Sequence, residues 1–296
     1  EKDDPAGLKS LQRILELQPQ NPMALLERAE IAITQGKMDE ALADVEAVRK
    51  RQPNLPNANY LRGRILFQKK DLTGAQDALL QVIRVAPNHP GSQFLLGSIN
   101  YEQNNLGQAD LYLTPFVNSQ PGYLPARMLL AATQLKQNQP RRAIDLLTPA
   151  LAQAPNDAQL LALLGSAYLQ DRNFAKGSEY LQKAAQITPE ATGVRTQLAL
   201  SRLAEGRADE AVQELQGLVE LGQDVMQADL LLVQAYLQQK DYDKAITAAT
   251  TLTGKRPNDP VAHNLLGSAY LAKGEDDKAR SEFEQALKLD PNLSPA

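Results

Sequence analysis

The 296-residue chain contains no cysteine and no tryptophan, and it has only two histidines and five phenylalanines. Without cysteine, disulfides, CxxC redox chemistry and thiolate zinc sites are excluded, although this absence does not identify a compartment. No stretch of about 18 consecutive apolar residues exists, so no segment is predicted to span a bilayer. The formal net charge is −4. Since a phosphate backbone calls for a basic surface, nucleic acid is not an expected partner.

A 34-residue period organises what is present. The nine positions at this spacing that end at Pro291 hold proline in all but one case, Gln223. The nine positions that end at Ala279 always hold alanine or glycine. The last full repeat, residues 260–293, has the spacing of the tetratricopeptide signature, carried by Leu266, Gly267, Tyr270, Ala279, Phe283, Ala286 and Pro291.

The period divides the whole chain into one array, within which we number the positions of each repeat from 1 to 34. Residues 1–21 contain the second helix of a truncated repeat and residues 294–296 form a tail. Eight full repeats lie between them: 22–55, 56–89, 90–123, 124–157, 158–191, 192–225, 226–259 and 260–293. Because a repeat array grows by neighbour contacts, this length forms a single solenoid domain. The beginning on a second helix and the end without a capping helix predict a piece of a longer array.

Apolar spacing predicts helix A over positions 1–14 and helix B over positions 15–30 of each repeat, or seventeen helices in all. The resemblance to tetratricopeptide repeats implies an all-α solenoid, a right-handed superhelix of antiparallel helix pairs. The turn between helices A and B is expected at position 15. There, Gly36, Gly206 and Gly274, or Asn104 and Asn138, can adopt the left-handed conformation that ends a helix.

Small residues recur at positions 8 and 20 and are predicted to face each other, so that helices A and B approach closely. Glycine at position 8 of several A helices, such as Gly97 and Gly267, supports this packing, because glycine inside a helix costs about 1 kcal/mol relative to alanine. Two prolines interrupt the pattern: Pro115 and Pro149 both stand at position 26, inside helix B. Each is interpreted either as a tolerated bend or as a bend that shapes a partner site.

The sequence offers no constellation for catalysis or metal binding. His89 falls in a loop between repeats and His263 five repeats later, and neither has a Ser/His/Asp or metal-ligand grouping around it. The acidic run 275–277 is interpreted as a solvated helix start that complements the helix dipole. We therefore predict no enzyme activity, no cofactor, no metal and no catalytic residue.

A binding surface is predicted on the A helices. In the tetratricopeptide family these helices line the concave face, and positions 2, 5, 9, 12 and 13 point into it. Seven candidate residues follow in three adjacent repeats: Tyr60, Arg64, Phe67, Phe94, Tyr101, Glu102 and Met128. Their aromatic and charged mixture is typical of an interface hot spot. Position-12 residues can instead pack against the next helix A, which leaves a structural interpretation open. The family's carboxylate clamp is not matched, since positions 5 and 9 hold pairs such as Tyr60 with Arg64.

A narrower resemblance is found in residues 125–132, 195–204 and 263–274, and in the paired prolines at position 26. These features are similar to the tetratricopeptide lipoproteins of the exosortase/PEP-CTERM system of Gram-negative bacteria. The resemblance implies a periplasmic scaffold for exopolysaccharide or surface-protein assembly and export, anchored to the outer membrane through a lipidated cysteine upstream of Glu1.

Two other functions remain open: a cytoplasmic tetratricopeptide adaptor that regulates another enzyme, and the accessory domain of an enzyme whose catalytic part is absent from this sequence. The expected partners are protein or peptide segments of an envelope complex, with glycan as an alternative. A second copy could also bind through uncapped ends, at Leu8, Leu11 and Leu15 or at Phe283 and Leu287.

Overall fold

The structure, a computed structural model, describes residues 5–220 and 226–293. Every regular element among them is helical, as the sequence predicts. Seventeen α-helices follow one another: α1 Pro5–Leu17, α2 Pro22–Thr34, α3 Met38–Arg49, α4 Pro56–Gln68, α5 Leu72–Val85, α6 Pro90–Glu102, α7 Leu106–Ser119, α8 Leu124–Lys136, α9 Pro140–Leu147, α10 Ala158–Gln170, α11 Phe174–Ile187, α12 Thr192–Ala204, α13 Ala208–Glu220, α14 Met226–Gln239, α15 Tyr242–Lys255, α16 Pro260–Lys273 and α17 Asp276–Leu289. A 3-10 turn, Thr148–Ala152, follows α9.

Two compact units make up the chain, Glu1–Gln137 and Asn138–Ala296. In each unit, helix B packs against helix A of the next repeat, and neighbouring A helices also contact each other. In the first unit the A helices α2, α4, α6 and α8 therefore form one continuous surface, which we call the A-helix face.

The turn between helices A and B is left-handed at position 15 in all eight full repeats. Gly36, Gly206 and Gly274 have φ between 76° and 85°, and Asn104 and Asn138 have φ of 59°, which confirms the predicted turn. The same conformation occurs at three positions that the sequence did not single out: Lys70, Arg172 and Lys240. The predicted helix limits were too wide, because most A helices end at position 13 and most B helices begin at position 17.

Close packing of helices A and B is present, and positions 8 and 20 meet as predicted: a Cβ added to Gly177 would lie 3.3 Å from the carbonyl oxygen of Gly165. Large side chains from helix B come closer still. A Cβ added to Gly63 would lie 2.6 Å from Cγ of Leu79, and one added to Gly267 would lie 2.6 Å from Cε1 of Phe283. Leu79 and Phe283 both stand at position 24. Position 8 is thus covered mainly by a large position-24 side chain, because four residues along helix B return to the same face.

Side chains also join successive repeats. At position 4 of helix A, four residues donate a hydrogen bond to the main-chain carbonyl of the proline six residues earlier: Asn59 to Pro53 at 2.9 Å, Gln93 to Pro87 at 3.1 Å, Arg127 to Pro121 at 2.5 Å and His263 to Pro257 at 2.9 Å. The position-32 prolines therefore do more than stop helix B. Their carbonyls anchor the start of the next repeat.

The two position-26 prolines behave differently. Helix α7 continues through Pro115 to Ser119, whereas α9 ends at Leu147 and Pro149 stands in the 3-10 turn that follows. The triplet Leu-Thr-Pro occurs at both sites. In α7 the helix accommodates the proline, whereas after α9 the chain changes to 3-10 geometry.

Candidate functional site

All seven predicted site residues lie on the A-helix face of the first unit, on α4, α6 and α8. Glu102 is exposed, and the others are half-buried: Tyr60, Arg64, Phe67, Phe94, Tyr101 and Met128. On α2, by contrast, the residues at the same register positions 5 and 12, Leu26 and Ile33, are buried and belong to the core. The part of this face that offers rings to a ligand therefore begins at α4.

Tyr60 is fixed by the end of its own repeat and by the start of the next. Its ring meets His89 edge to face at a centroid distance of 4.7 Å, and it lies so close to Gly91 that a Cβ there would collide with it. Burial raises the pKa of Tyr60, and the positive charge of Arg64 offsets part of that rise. Tyr60 is thus a neutral phenol held in one orientation at neutral pH.

Phe94 belongs to a three-ring cluster. Its centroid lies 5.3 Å from that of Phe116 and 5.5 Å from that of Tyr123, and Phe116 and Tyr123 are 5.6 Å apart. Phe116 is buried on α7, while Tyr123 is 43% exposed just before α8. These tilted and edge-to-face arrangements are the favourable geometries for aromatic pairs. Tyr123 is the most exposed ring of the cluster and extends the predicted site.

Three rings of the A-helix face each have a cation above them. Arg64 lies 5.7 Å from the centroid of Tyr60, Lys70 lies 5.8 Å from that of Phe67, and Lys136 lies 4.2 Å from that of Tyr101. Each such contact contributes about 0.5 to 1 kcal/mol at an exposed site. Lys70 also approaches the carboxylate of Glu102 at 4.0 Å. The site therefore combines rings with charges that lie directly upon them.

Sequence reasoning missed His89, Phe116, Tyr123 and Lys136. A signal for two of them was available, because His89 and Tyr123 both stand at position 34, in the same two repeats that have a ring at position 5. The ring pairs Tyr60 with His89 and Phe94 with Tyr123 are consequently both 29 residues apart. Phe116 and Lys136 had no comparable signal.

The two histidines have structural partners. His89 caps α6, since its Nδ1 accepts a hydrogen bond from the Ser92 N–H at 3.1 Å, and burial lowers its pKa. His263 contacts acceptors through both ring nitrogens, Glu282 Oε2 at 2.7 Å and the Pro257 carbonyl at 2.9 Å. Burial alone would lower the pKa of His263, but these hydrogen bonds raise it above its ordinary value.

Within residues 5–220 and 226–293, no three His, Cys, Asp or Glu side chains are grouped in a way that could hold a metal ion. None of the helices in this described part is long and apolar enough to cross a membrane.

The structure gives the exposure of most of the side chains that were predicted to mediate self-association. Leu11 and Leu15 of α1 and Phe283 of α17 are half-buried, Leu287 is 48% exposed, and the side chain of Leu8 lies outside the described residues. Association of two copies through these helices stays a prediction.

The repeat geometry and the exposed face of A helices define a class, the helical-repeat scaffolds. More specifically, the chain belongs to the tetratricopeptide repeat family, whose model matches residues 5–56, 35–81, 60–114, 128–192, 196–260 and 230–294. No protein of curated function matches the sequence significantly.

Solved structures show the same fold. A chain of the APC/C hetero-tetramer Cut9-Hcn1 superposes with a TM-score of 0.58 at 18% identity, over 96% of this chain and 56% of that one. A tetratricopeptide repeat protein from Parabacteroides merdae gives a TM-score of 0.58 at 13% identity, over 84% of this chain and 98% of that one. YrrB, described as a TPR protein with an unusual peptide-binding site, gives 0.51 at 18% identity, over 61% and 93%. As a member of the tetratricopeptide repeat family, the chain is a protein–protein interaction scaffold.

Proposed function

We propose that this scaffold is non-enzymatic and binds an extended protein segment on the A-helix face of its first unit, over α4, α6 and α8. The observation that carries the proposal is the arrangement of half-buried rings at Tyr60 and Phe94, each fixed by neighbours in the same unit. Rigid aromatic side chains lose little entropy on binding, so a few of them can dominate an affinity. A peptide partner is further supported by the description of YrrB as a peptide-binding TPR protein.

We further propose that the chain acts in the periplasm of a Gram-negative bacterium, as the scaffold part of an outer-membrane lipoprotein for exopolysaccharide or PEP-CTERM surface-protein assembly and export. Support comes from the sequence resemblance of residues 125–132, 195–204 and 263–274 to that lipoprotein family. The coding sequence that precedes the Glu1 codon tests this periplasmic assignment. A lipobox cysteine there, together with palmitate labelling of the native protein, is the expected result. A gene that encodes no export signal would overturn the setting without affecting the binding face.

The binding face is tested by capture from envelope extract with wild type and with Tyr60→Ala/Phe94→Ala. Loss of two hot-spot rings should weaken a native partner by at least about 2 kcal/mol in total. Because both rings also pack against neighbours, Tyr180→Ala is the matched control: it removes a half-buried ring that stacks on Tyr168 in the second unit, at 5.6 Å between centroids. The far-UV circular dichroism of all variants should remain helical.

Capture of the same proteins in equal amounts by wild type and the double variant would remove this face from the mechanism. Competition by soluble exopolysaccharide would instead identify a glycan ligand, since exposed rings such as Tyr123 can also stack on sugars. In that case the binding face would be retained, and its ligand would be a glycan rather than a protein segment.

A further inference from the structure

Two cations on the A-helix face have an aromatic partner but no carboxylate partner. Arg64 lies over the ring of Tyr60 and Lys136 lies over the ring of Tyr101. Within the described part of the chain neither makes an ion pair, in contrast to Arg62 on the same helix as Arg64, which binds Glu46 at 2.7 Å. A charge on a ring face retains most of its hydrogen-bond donors. Both groups can therefore bind an incoming anion.

Two acidic groups belong to the same face. One of them, Glu30, acts near Arg64, since burial and then the negative charge of Glu30 raise the pKa of Tyr60, the ring beneath Arg64. Within the described residues, neither acidic group forms an ion pair with Arg64 or Lys136. Glu102, on α6, is approached by Lys70 at 4.0 Å. Glu30 lies on α2, on the side of α4 away from α6 and α8. Between the two unpaired cations, α6 presents the half-buried rings of Phe94 and Tyr101. From α4 to α8, the helices of this face therefore contribute first a cation, then two rings, then a second cation.

We propose that the partner segment is acidic: an extended peptide with one carboxylate side chain on Arg64, a second on Lys136, and apolar side chains between them over α6. This inference rests on the proposed peptide-binding function and specifies the chemistry of its ligand. Pairing an anion with a cation in a partly desolvated interface adds specificity and speeds association, since complementary charges steer the encounter.

Helix spacing sets the separation of the two acidic residues. Adjacent packed helices lie about 8 to 10 Å apart, so α4 and α8, separated only by α6, are about 16 to 20 Å apart. An extended chain covers about 3.3 Å per residue. The Lys136 ammonium lies over Tyr101 of α6, so the two charges are separated by between one and two helix spacings, about 10 to 16 Å. Because side chains of an extended peptide alternate between two faces, the two acidic residues should be about four positions apart in the partner sequence.

Synthetic peptides test this directly. We would prepare fluorescent peptides with two glutamates two, four or eight positions apart, with leucine and tyrosine between them in a constant composition. Matched peptides would contain glutamine or lysine in place of both glutamates. Affinity would be measured by fluorescence anisotropy at low and at high salt, with the full chain as wild type, Arg64→Gln, Lys136→Gln and the double variant.

Lys176→Gln is the control variant, because Lys176 also lies over a tyrosine ring, Tyr168, at 5.2 Å, but in the second unit. We expect the acidic peptide with glutamates four positions apart to bind best and the lysine peptide to bind worst. Each glutamine variant should weaken that peptide by roughly three- to tenfold, as expected for partly exposed charge pairs. High salt should reduce the difference between the acidic and the neutral peptides, because screening weakens these pairs.

Several outcomes would overturn the inference. They are equal binding of acidic and neutral peptides, an effect of Lys176→Gln as large as that of Lys136→Gln, or no binding of any acidic peptide. If acidic and neutral peptides bind wild type equally, and both lose affinity for Tyr60→Ala/Phe94→Ala, the acidic preference is refuted. The proposed peptide-binding face is then still supported. Loss of the face itself is decided separately, by the capture experiment with that double variant.

Discussion

Replacement of Gly97 by alanine should destabilise the first unit, although alanine is normally the better helix residue. Gly97 lies in α6, and a Cβ there would stand 2.5 Å from Cγ of Leu113 and 2.7 Å from its Cδ2. Leu113 is completely buried on α7. The clash is with the branch carbon of a buried side chain, so it cannot be relieved by movement of a flexible tip. Helices α6 and α7 would have to separate.

Two terms of opposite sign determine the magnitude. Overpacking of this kind costs about 1 to 3 kcal/mol, and the helix preference of alanine over glycine returns about 1 kcal/mol. The net loss should be about 1 kcal/mol, within a range of about 0 to 2. Gly107→Ala in α7 of the same repeat is the matched control, because a Cβ there has no atom within 4 Å. That change should stabilise by about 0.4 to 1 kcal/mol, since it restricts the unfolded chain.

Urea denaturation followed by circular dichroism would compare the two variants with wild type. Repeat arrays need not unfold in one step, so hydrogen exchange of α6 and α7 should locate the change. The expected result is a lower midpoint for Gly97→Ala and a higher midpoint for Gly107→Ala. Midpoints that move in the same direction would show that contact with position 24 does not limit the residue at position 8.

Three further perturbations have expected signs. The raised pKa of His263 stabilises the last repeat below about pH 6.5, and this contribution is lost as the pH rises through the folded pKa; His263→Gln should make the urea midpoint less dependent on pH above that value, and an unchanged dependence would argue against the imidazolium. Pro115→Ala should stabilise by up to about 2 to 3 kcal/mol because it restores a helix-interior donor, whereas Pro149→Ala should be nearly neutral, since proline is tolerated at the start of a helical turn; a larger gain at Pro149 would contradict this assignment. Gly267→Leu should cost about 1 to 3 kcal/mol, because its first added atom already lies 2.6 Å from the ring of Phe283; an unchanged midpoint would contradict the packing role.

The His263 experiment uses a replacement that the chain itself contains. Gln93 stands at the same position 4 and donates from its side-chain amide to the carbonyl of Pro87, as His263 does to that of Pro257. Glutamine should therefore keep the link to the preceding proline and remove only the titrating ring and its bond to Glu282. The comparison therefore separates the titrating ring and its bond to Glu282 from the link to Pro257.

The repeat pattern predicted the fold well because one physical requirement recurs every 34 residues. Position 15 must adopt positive φ, and the presence of Gly36 and Asn104 revealed the turn. Lys70 has φ of 65° at the same position without a favourable residue type. There the repeat register, rather than local preference, determines the conformation, and only the period could have predicted it.

The aromatic contacts could be predicted less completely, because two of the five rings, His89 and Tyr123, lie outside the helices. Periodicity of 3.6 residues selects positions within a helix and says nothing about position 34, where the chain has already left helix B. Leu26 and Leu55 occupy positions 5 and 34 of the first full repeat, and rings replace both in the next two. This joint replacement indicates contact between two columns of the repeat.

The same comparison clarifies why the first unit is the better candidate for binding. In the repeats that begin at residues 158 and 226, position 5 holds Ala162 and Leu230, and position 34 holds Ala191 and Asp259. Small or aliphatic side chains at these positions satisfy the fold equally well, so the rings of the first unit are not needed to form a repeat. Tyr123 is moreover 43% exposed. Tyr123 therefore belongs with Tyr60 and Phe94 in the proposed binding face, as a ring that a partner can cover.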